Sequence, residues 1–134
     1  MDNIEKIEHD GKMLAIVIRK NFDNKGLTFV TEDDFGLQVG VHIQDKGFEA
    51  KPHKHLPFEE LKNLSVQEIF YVKKGKIRIG LYDDEGKKIR DVEGNTGDTL
   101  ILNCGHSFLC LEDSELIEIK QGPYRGKKEK KYFN

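Results

Sequence analysis

The stretch Gly47–Gly75 reads GFEAKPHKHLPFEELKNLSVQEIFYVKKG. Its histidines, His53 and His55, are two residues apart, and residues two apart in a strand share a face. Their Cα atoms would then lie about 6.6 Å apart, close enough for two imidazoles to converge on one ion. Pro52 and Pro57 bracket the pair, and Lys54 points the other way. Glu68 opens the next apolar run and shares its face with Phe70 and Val72. A face carrying two large apolar side chains is directed at a core, so the Glu68 carboxylate is expected to be buried and to need a partner. A metal held by His53 and His55 would supply one; a lysine or arginine would supply another. The segment between the two runs can leave as a loop without moving either strand, and PFEELKNL (57–64) has the only helical pattern in the chain.

Outward from this stretch the pattern is β. MLAIVI (13–18) is a short apolar run rich in β-branched residues, which favours a strand. LTFVTE (27–32) and LQVGVHIQ (37–44) alternate, the latter with Leu37, Val39, Val41 and Ile43 on one face. After Gly75 come two further strands separated by a turn at Glu85-Gly86, then TLILN (99–103), then FLCLEDSELIEIK (108–120) with a break at Asp113-Ser114. Strands at short intervals with Gly or Asp punctuation predict an all-β sandwich or barrel. His42 falls on the polar face of its strand and reads as a sheet-surface histidine. His9 lies in a charged leader and reads as solvated. Residues 125–134 carry five basic residues against one acid and read as a solvated tail, though Tyr132 and Phe133 leave docking open.

The whole chain narrows the function classes. Its 134 residues fit one domain with a sizeable core. A formal net charge of −2 gives no reason to expect nucleic acid or an anionic membrane as partner. No apolar run reaches the length of a membrane-spanning helix, and MDNIEKIEHDGK lacks the pattern of a signal peptide, so a cytoplasmic protein is expected. The two cysteines, Cys104 and Cys110, imply no disulfide framework; in an extended segment they would be roughly 20 Å apart.

Gly47, five intervening residues, His53-x-His55, then Glu68, six intervening residues and Gly75 resemble the first motif of the cupin superfamily. The gap of twelve residues between His55 and Glu68 is longer than the usual three or four. GDTLILNCGH (97–106) resembles the second motif, but His106 follows Gly105 directly where two residues commonly intervene, and Phe108 stands at the expected ligand position. The resemblance covers about 36–122. It implies a single-domain cupin barrel (a double-stranded β-helix, or jelly roll) spanning 1–134. It implies one divalent metal ion, of Fe, Mn, Ni, Co or Zn, held by His53, His55, Glu68 and His106. A looser resemblance to cupin-type nucleotide-sugar isomerases and epimerases implies a polar small molecule in the barrel, with His53 or His55 as base and Tyr71 or Tyr82 as acid. A non-haem-iron dioxygenase and a non-enzymatic binding module are the alternatives. Family habit, and an apolar MLAIVI edge that would otherwise invite aggregation, imply a homodimer.

Overall fold

A computed structural model describes residues 3–59 and 66–133. The helical pattern expected at PFEELKNL falls mostly outside the described residues. The chain is a β-sandwich of two five-stranded antiparallel sheets plus an N-terminal hairpin. The hairpin pairs β1 (Ile4–His9) with β2 (Lys12–Ile18). One sheet runs in the order β3 (Gly26–Phe29), β4 (Leu37–Gln44), β11 (Ser114–Gln121), β6 (Glu68–Lys74), β9 (Thr99–Leu102). The other runs β12 (Lys130–Tyr132), β5 (Glu49–His55), β10 (Gly105–Cys110), β7 (Lys76–Tyr82), β8 (Lys88–Asn95). Among the described residues, no helix is long and apolar enough to cross a membrane.

Two apolar clusters hold the layers. Between the sheets lie Phe70, Val72, Ile77, Ile79, Leu102, Phe108, Cys110 and Leu116. Fully burying side chains of this size contributes about 1.5–3 kcal/mol each. The second cluster, Phe22, Val30, Val41 and Ile43, joins the outer face of β4 to Ile4, Ile16 and Ile18 of the hairpin. The apolar face of β4 therefore turns away from the barrel and is covered by the N-terminal strands. Its polar face, Gln38, His42 and Gln44, is the one that lines the interior, and all three are buried. This corrects the surface reading of His42.

The C-terminal segment also departs from expectation. Residues 125–133 are not a solvated tail: β12 pairs with β5, setting Lys130 against His55 and Tyr132 against His53. Arg125 anchors the approach, donating to the carbonyls of Pro57 at 3.0 Å and Leu56 at 2.6 Å. Beyond β12, the ring of Phe133 lies against Gly105, where a Cβ would come within 2.7 Å of it. The apolar β2 is paired on one side with β1, in a sheet of these two strands.

Candidate metal centre

Two strands of one sheet and one of the other bring the site together. His53 and His55 come from β5, as their spacing predicts. His106 is the second residue of β10 and the direct cross-strand partner of His53. Glu68 opens β6 on the facing sheet, in line with the buried Phe70 and Val72. Gly75 follows β6 with a φ of +107°, and a Cβ there would meet the Asp113 carbonyl at 2.6 Å, so both conformation and space require glycine. The side chains of His55, Glu68 and His106 are 5%, 3% and 2% exposed. One ligand atom from each of His53, His55, Glu68 and His106 lies within 4.8 Å of all the others.

The backbone sets the imidazole tautomers. His53 donates from Nδ1 to the Lys51 carbonyl at 2.6 Å, and His106 donates from Nδ1 to the Cys104 carbonyl at 3.0 Å. Each neutral ring then presents a bare Nε2 lone pair to the interior. Glu68 Oε2 sits 2.6 Å from His55 Nε2 and 2.9 Å from His106 Nε2. Yet among the described residues none of these three buried atoms has a partner in hydrogen-bond geometry. They crowd a common point instead of pointing along one another. Acceptor atoms packed this closely require a positive charge between them, a proton or a metal ion. With protons alone, burial would raise the Glu68 carboxyl, but the imidazoles of His106 and His55 hold it well below the ordinary carboxylate range. Burial pushes the His106 imidazole down, and Glu68 more than offsets it, leaving the ring above its usual value. His53 has no such compensation: burial lowers it to about 3, so it is a neutral donor at pH 7. Three imidazoles and one carboxylate with no thiolate suit a divalent first-row transition metal, and the group can hold such an ion.

The four residues expected as ligands come together, His106 among them. Phe108, which occupies the position where the family commonly has its ligand, is 3% exposed in the apolar core. The turn is shorter, and His106 reaches the site from the start of β10. The tyrosines expected as acids are elsewhere. Tyr71 is 41% exposed on the outer face of β6. Tyr82 pairs in register with Gly105, one residue before His106, and its hydroxyl lies 3.2 Å from Ser107 Oγ, on the face away from the ligands.

Sequence reasoning missed three features of the interior. His42 Nδ1 accepts from the Gln44 amide at 3.0 Å, so its Nε2 carries the proton and donates to Glu118 Oε1 at 3.1 Å. Lys120, cross-strand partner of Glu68, is paired at 2.6 Å with Glu129 from the C-terminal segment. Tyr132 stacks 5.4 Å from the His53 ring. The alternation of Glu118 and Lys120 with Ile117 and Ile119 could have revealed the first two, had the polar face been read as inward.

No family model matches the chain, and no curated protein matches it. Solved structures do. A cupin superfamily protein from Desulfitobacterium hafniense aligns with a TM-score of 0.57 at 9% identity, over 75% of this chain and 83% of its own. KdgF from Halomonas sp. aligns at 0.53 with 25% identity, over 75% and 79%. A tryptophan-to-phenylalanine variant of oxalate decarboxylase from B. subtilis aligns at 0.62 with 18% identity over 82% of this chain, which spans only 29% of that larger protein. The chain has the cupin fold.

Proposed function

We propose that this chain is a divalent-metal-dependent cupin enzyme acting on a polar small molecule held in the barrel. The observation that carries the reading is the convergence of His55 Nε2, Glu68 Oε2 and His106 Nε2, buried and without hydrogen-bond partners, on one point beside His53. His53, His55, Glu68 and His106 would hold the ion. When bound, the ion supplies Lewis-acid polarisation of a substrate oxygen. The chain's part is to fix the imidazole tautomers through Lys51 and Cys104 and to keep the donors dry behind Phe70 and Phe108. A sugar or nucleotide sugar is the substrate class we favour, by proton transfer next to a carbonyl. Tyr71 and Tyr82 face outward, and the histidines point their free nitrogens at the ion, so other groups must move the proton. Glu118, held by His42 in the interior, is the better candidate. A homodimer is part of this proposal, to be checked by light scattering.

The test is a screen of the protein loaded in turn with Fe, Mn, Ni, Co or Zn against sugars and nucleotide sugars in deuterated water, read by NMR as deuterium entering next to the carbonyl. Exchange is expected with loaded parent and not with the His53→Ala/His55→Ala protein. Equal exchange by both would sink the reading.

A further inference from the structure

Lys120 is an expensive residue where it stands. Its side chain is 2% exposed, inside a barrel, paired with a Glu129 side chain that is 8% exposed. Two charges withdrawn from water cost several kcal/mol each before their attraction is counted, so such a pair adds little net stability. The fold does not need it: the strand could carry an apolar residue there, as β11 does at Leu116. Position gives the pair another meaning. Lys120 lies in one cross-strand row with Gln38 on β4 and Glu68 on β6. One neighbour is therefore a metal-site carboxylate. The other, Gln38, is 5% exposed and its Oε1 has no hydrogen-bond partner among the described residues.

Glu129 reaches Lys120 from outside the sandwich proper. It ends the short 3₁₀ turn Gly126–Glu129, between Arg125 and β12. On its solvent side is a groove of about 390 Å³ at the open seam between the edge strands β3 and β12. Leu27, Phe29, Tyr124, Lys130, Tyr132 and Glu129 line it. Leu27 pairs across β3–β4 with His42 and Phe29 with Gly40, so both belong to the interior face, yet each is 40% exposed because the seam is open there. Gly40 makes room for them: a Cβ would sit 3.2 Å from the Phe29 ring. The groove touches the metal centre twice. Tyr132 lies against His53, and Glu129 holds the lysine next to Glu68.

We propose that this seam groove binds a small hydroxy acid, whose carboxylate replaces that of Glu129 on the Lys120 ammonium and whose hydroxyl donates to Gln38 Oε1. Glu129 is the chain's own stand-in for the ligand's carboxylate, keeping Lys120 paired while the groove is empty. The aromatic walls at Phe29 and Tyr132 pack on the ligand's carbon chain, and Lys130 at the rim adds charge that attracts an anion. The inference goes beyond the functional reading above: it names a ligand class for a groove that adjoins the metal centre through Tyr132 and Glu129, and it rests on that reading only for the ligand's outcome at the metal.

The experiment uses gluconate as probe and sorbitol, its neutral counterpart, with binding followed by isothermal titration on the full chain, metal-free and zinc-loaded. Saturable gluconate binding is expected, at least tenfold tighter than sorbitol. Glu129→Gln, which removes the competing charge but keeps an acceptor for Lys120, should bind gluconate several-fold tighter than the parent. Lys120→Met/Glu129→Met, which removes both charges and so strands neither, should fold, keep its zinc by elemental analysis, and lose the preference for gluconate over sorbitol. Gluconate binding to that double variant as to the parent, or equal affinity of the parent for the two probes, would overturn the proposal. Loss of zinc by the parent, with the gluconate preference intact, would support the groove and count against the metal reading alone.

Discussion

Replacing His42 by Leu tests the account of the barrel interior. The side chain is 4% exposed and its ring lies 5.2 Å from that of Phe108 and 6.1 Å from that of Phe70. Leu fills most of the same space, and volume-conserving swaps in a core usually cost less than about 1.5 kcal/mol. The polar consequence is larger. Glu118, 6% exposed, loses the hydrogen bond to its carboxylate, and the Gln44 amide loses its acceptor. Leaving a buried carboxylate without its hydrogen-bond donor costs about 3 kcal/mol, the upper end for an unsatisfied buried group, because the acceptor is charged. At a urea dependence of about 1–3 kcal/mol per molar, the unfolding midpoint should fall by more than about 1 M. Glu118→Gln is the control: an amide oxygen still faces the His42 Nε2–H, so the loss should be about 1 kcal/mol. Urea unfolding of parent, both variants and His42→Leu/Glu118→Leu, all metal-free at pH 7, closes the comparison, and the double variant should lose much less than the sum of its parts. If His42→Leu stays within about 1 kcal/mol of the parent, or Glu118→Gln costs as much as it does, the buried pair is not what orders this face.

Acid should destabilise the metal-free protein through His53. Its folded value of about 3 lies below the ordinary 6.5, so the unfolded chain takes up the proton first, and stability present above pH 6.5 is lost progressively as pH falls toward 3. The span of about 3.5 pH units at 1.36 kcal/mol each bounds the effect at about 5 kcal/mol. His53→Gln should lose measurably less stability than the parent between pH 7 and 4 in urea titrations, and parallel curves would contradict the assignment. The raised His106 works in the opposite sense, its contribution present below pH 6.5 and lost as pH rises through its folded value. His106→Gln should weaken metal binding by more than about tenfold, since even outer-shell partners of a ligand are worth 10–100-fold. Unchanged affinity would place His106 outside the centre.

How much of this was visible in the sequence depended on which pattern carried the information. Period-2 alternation and turn glycines placed β4, β6 and β7 with nearly the observed bounds, and the fixed spacing from Gly47 to Gly75 brought out His53, His55 and Glu68 before any coordinates. The inside-outside assignment of β4 failed because polarity was taken as a guide to solvent. In this barrel the polar row is the lumen, its cost met by His42–Glu118 and Lys120–Glu129, and the apolar row of Val41 and Ile43 is buried only because β1 and β2 lie over it. That cover is a contact between strands far apart in sequence, and β1 lies in a leader too charged to read as a strand. β12 was hidden for a similar reason. Lys130, Lys131 and Tyr132 look like a solvated end, and only their register against His53 and His55 makes them a strand. The place of His106 was undetermined because the pattern shows that two residues are missing between Gly105 and His106 but not where the shortened turn aims the side chain; the Nδ1 bond to the Cys104 carbonyl is what aims it.

The central claim is that His53, His55, Glu68 and His106 hold a divalent ion. Elemental analysis of protein purified without chelator, after dialysis against each of Fe, Mn, Ni, Co and Zn, tests it most directly. The account predicts close to one ion per chain for the parent with at least one of these metals, and none retained by His53→Ala/His55→Ala although that variant still folds by circular dichroism. Parent protein that retains no ion from any of them, or a double variant that retains as much as the parent, would contradict it.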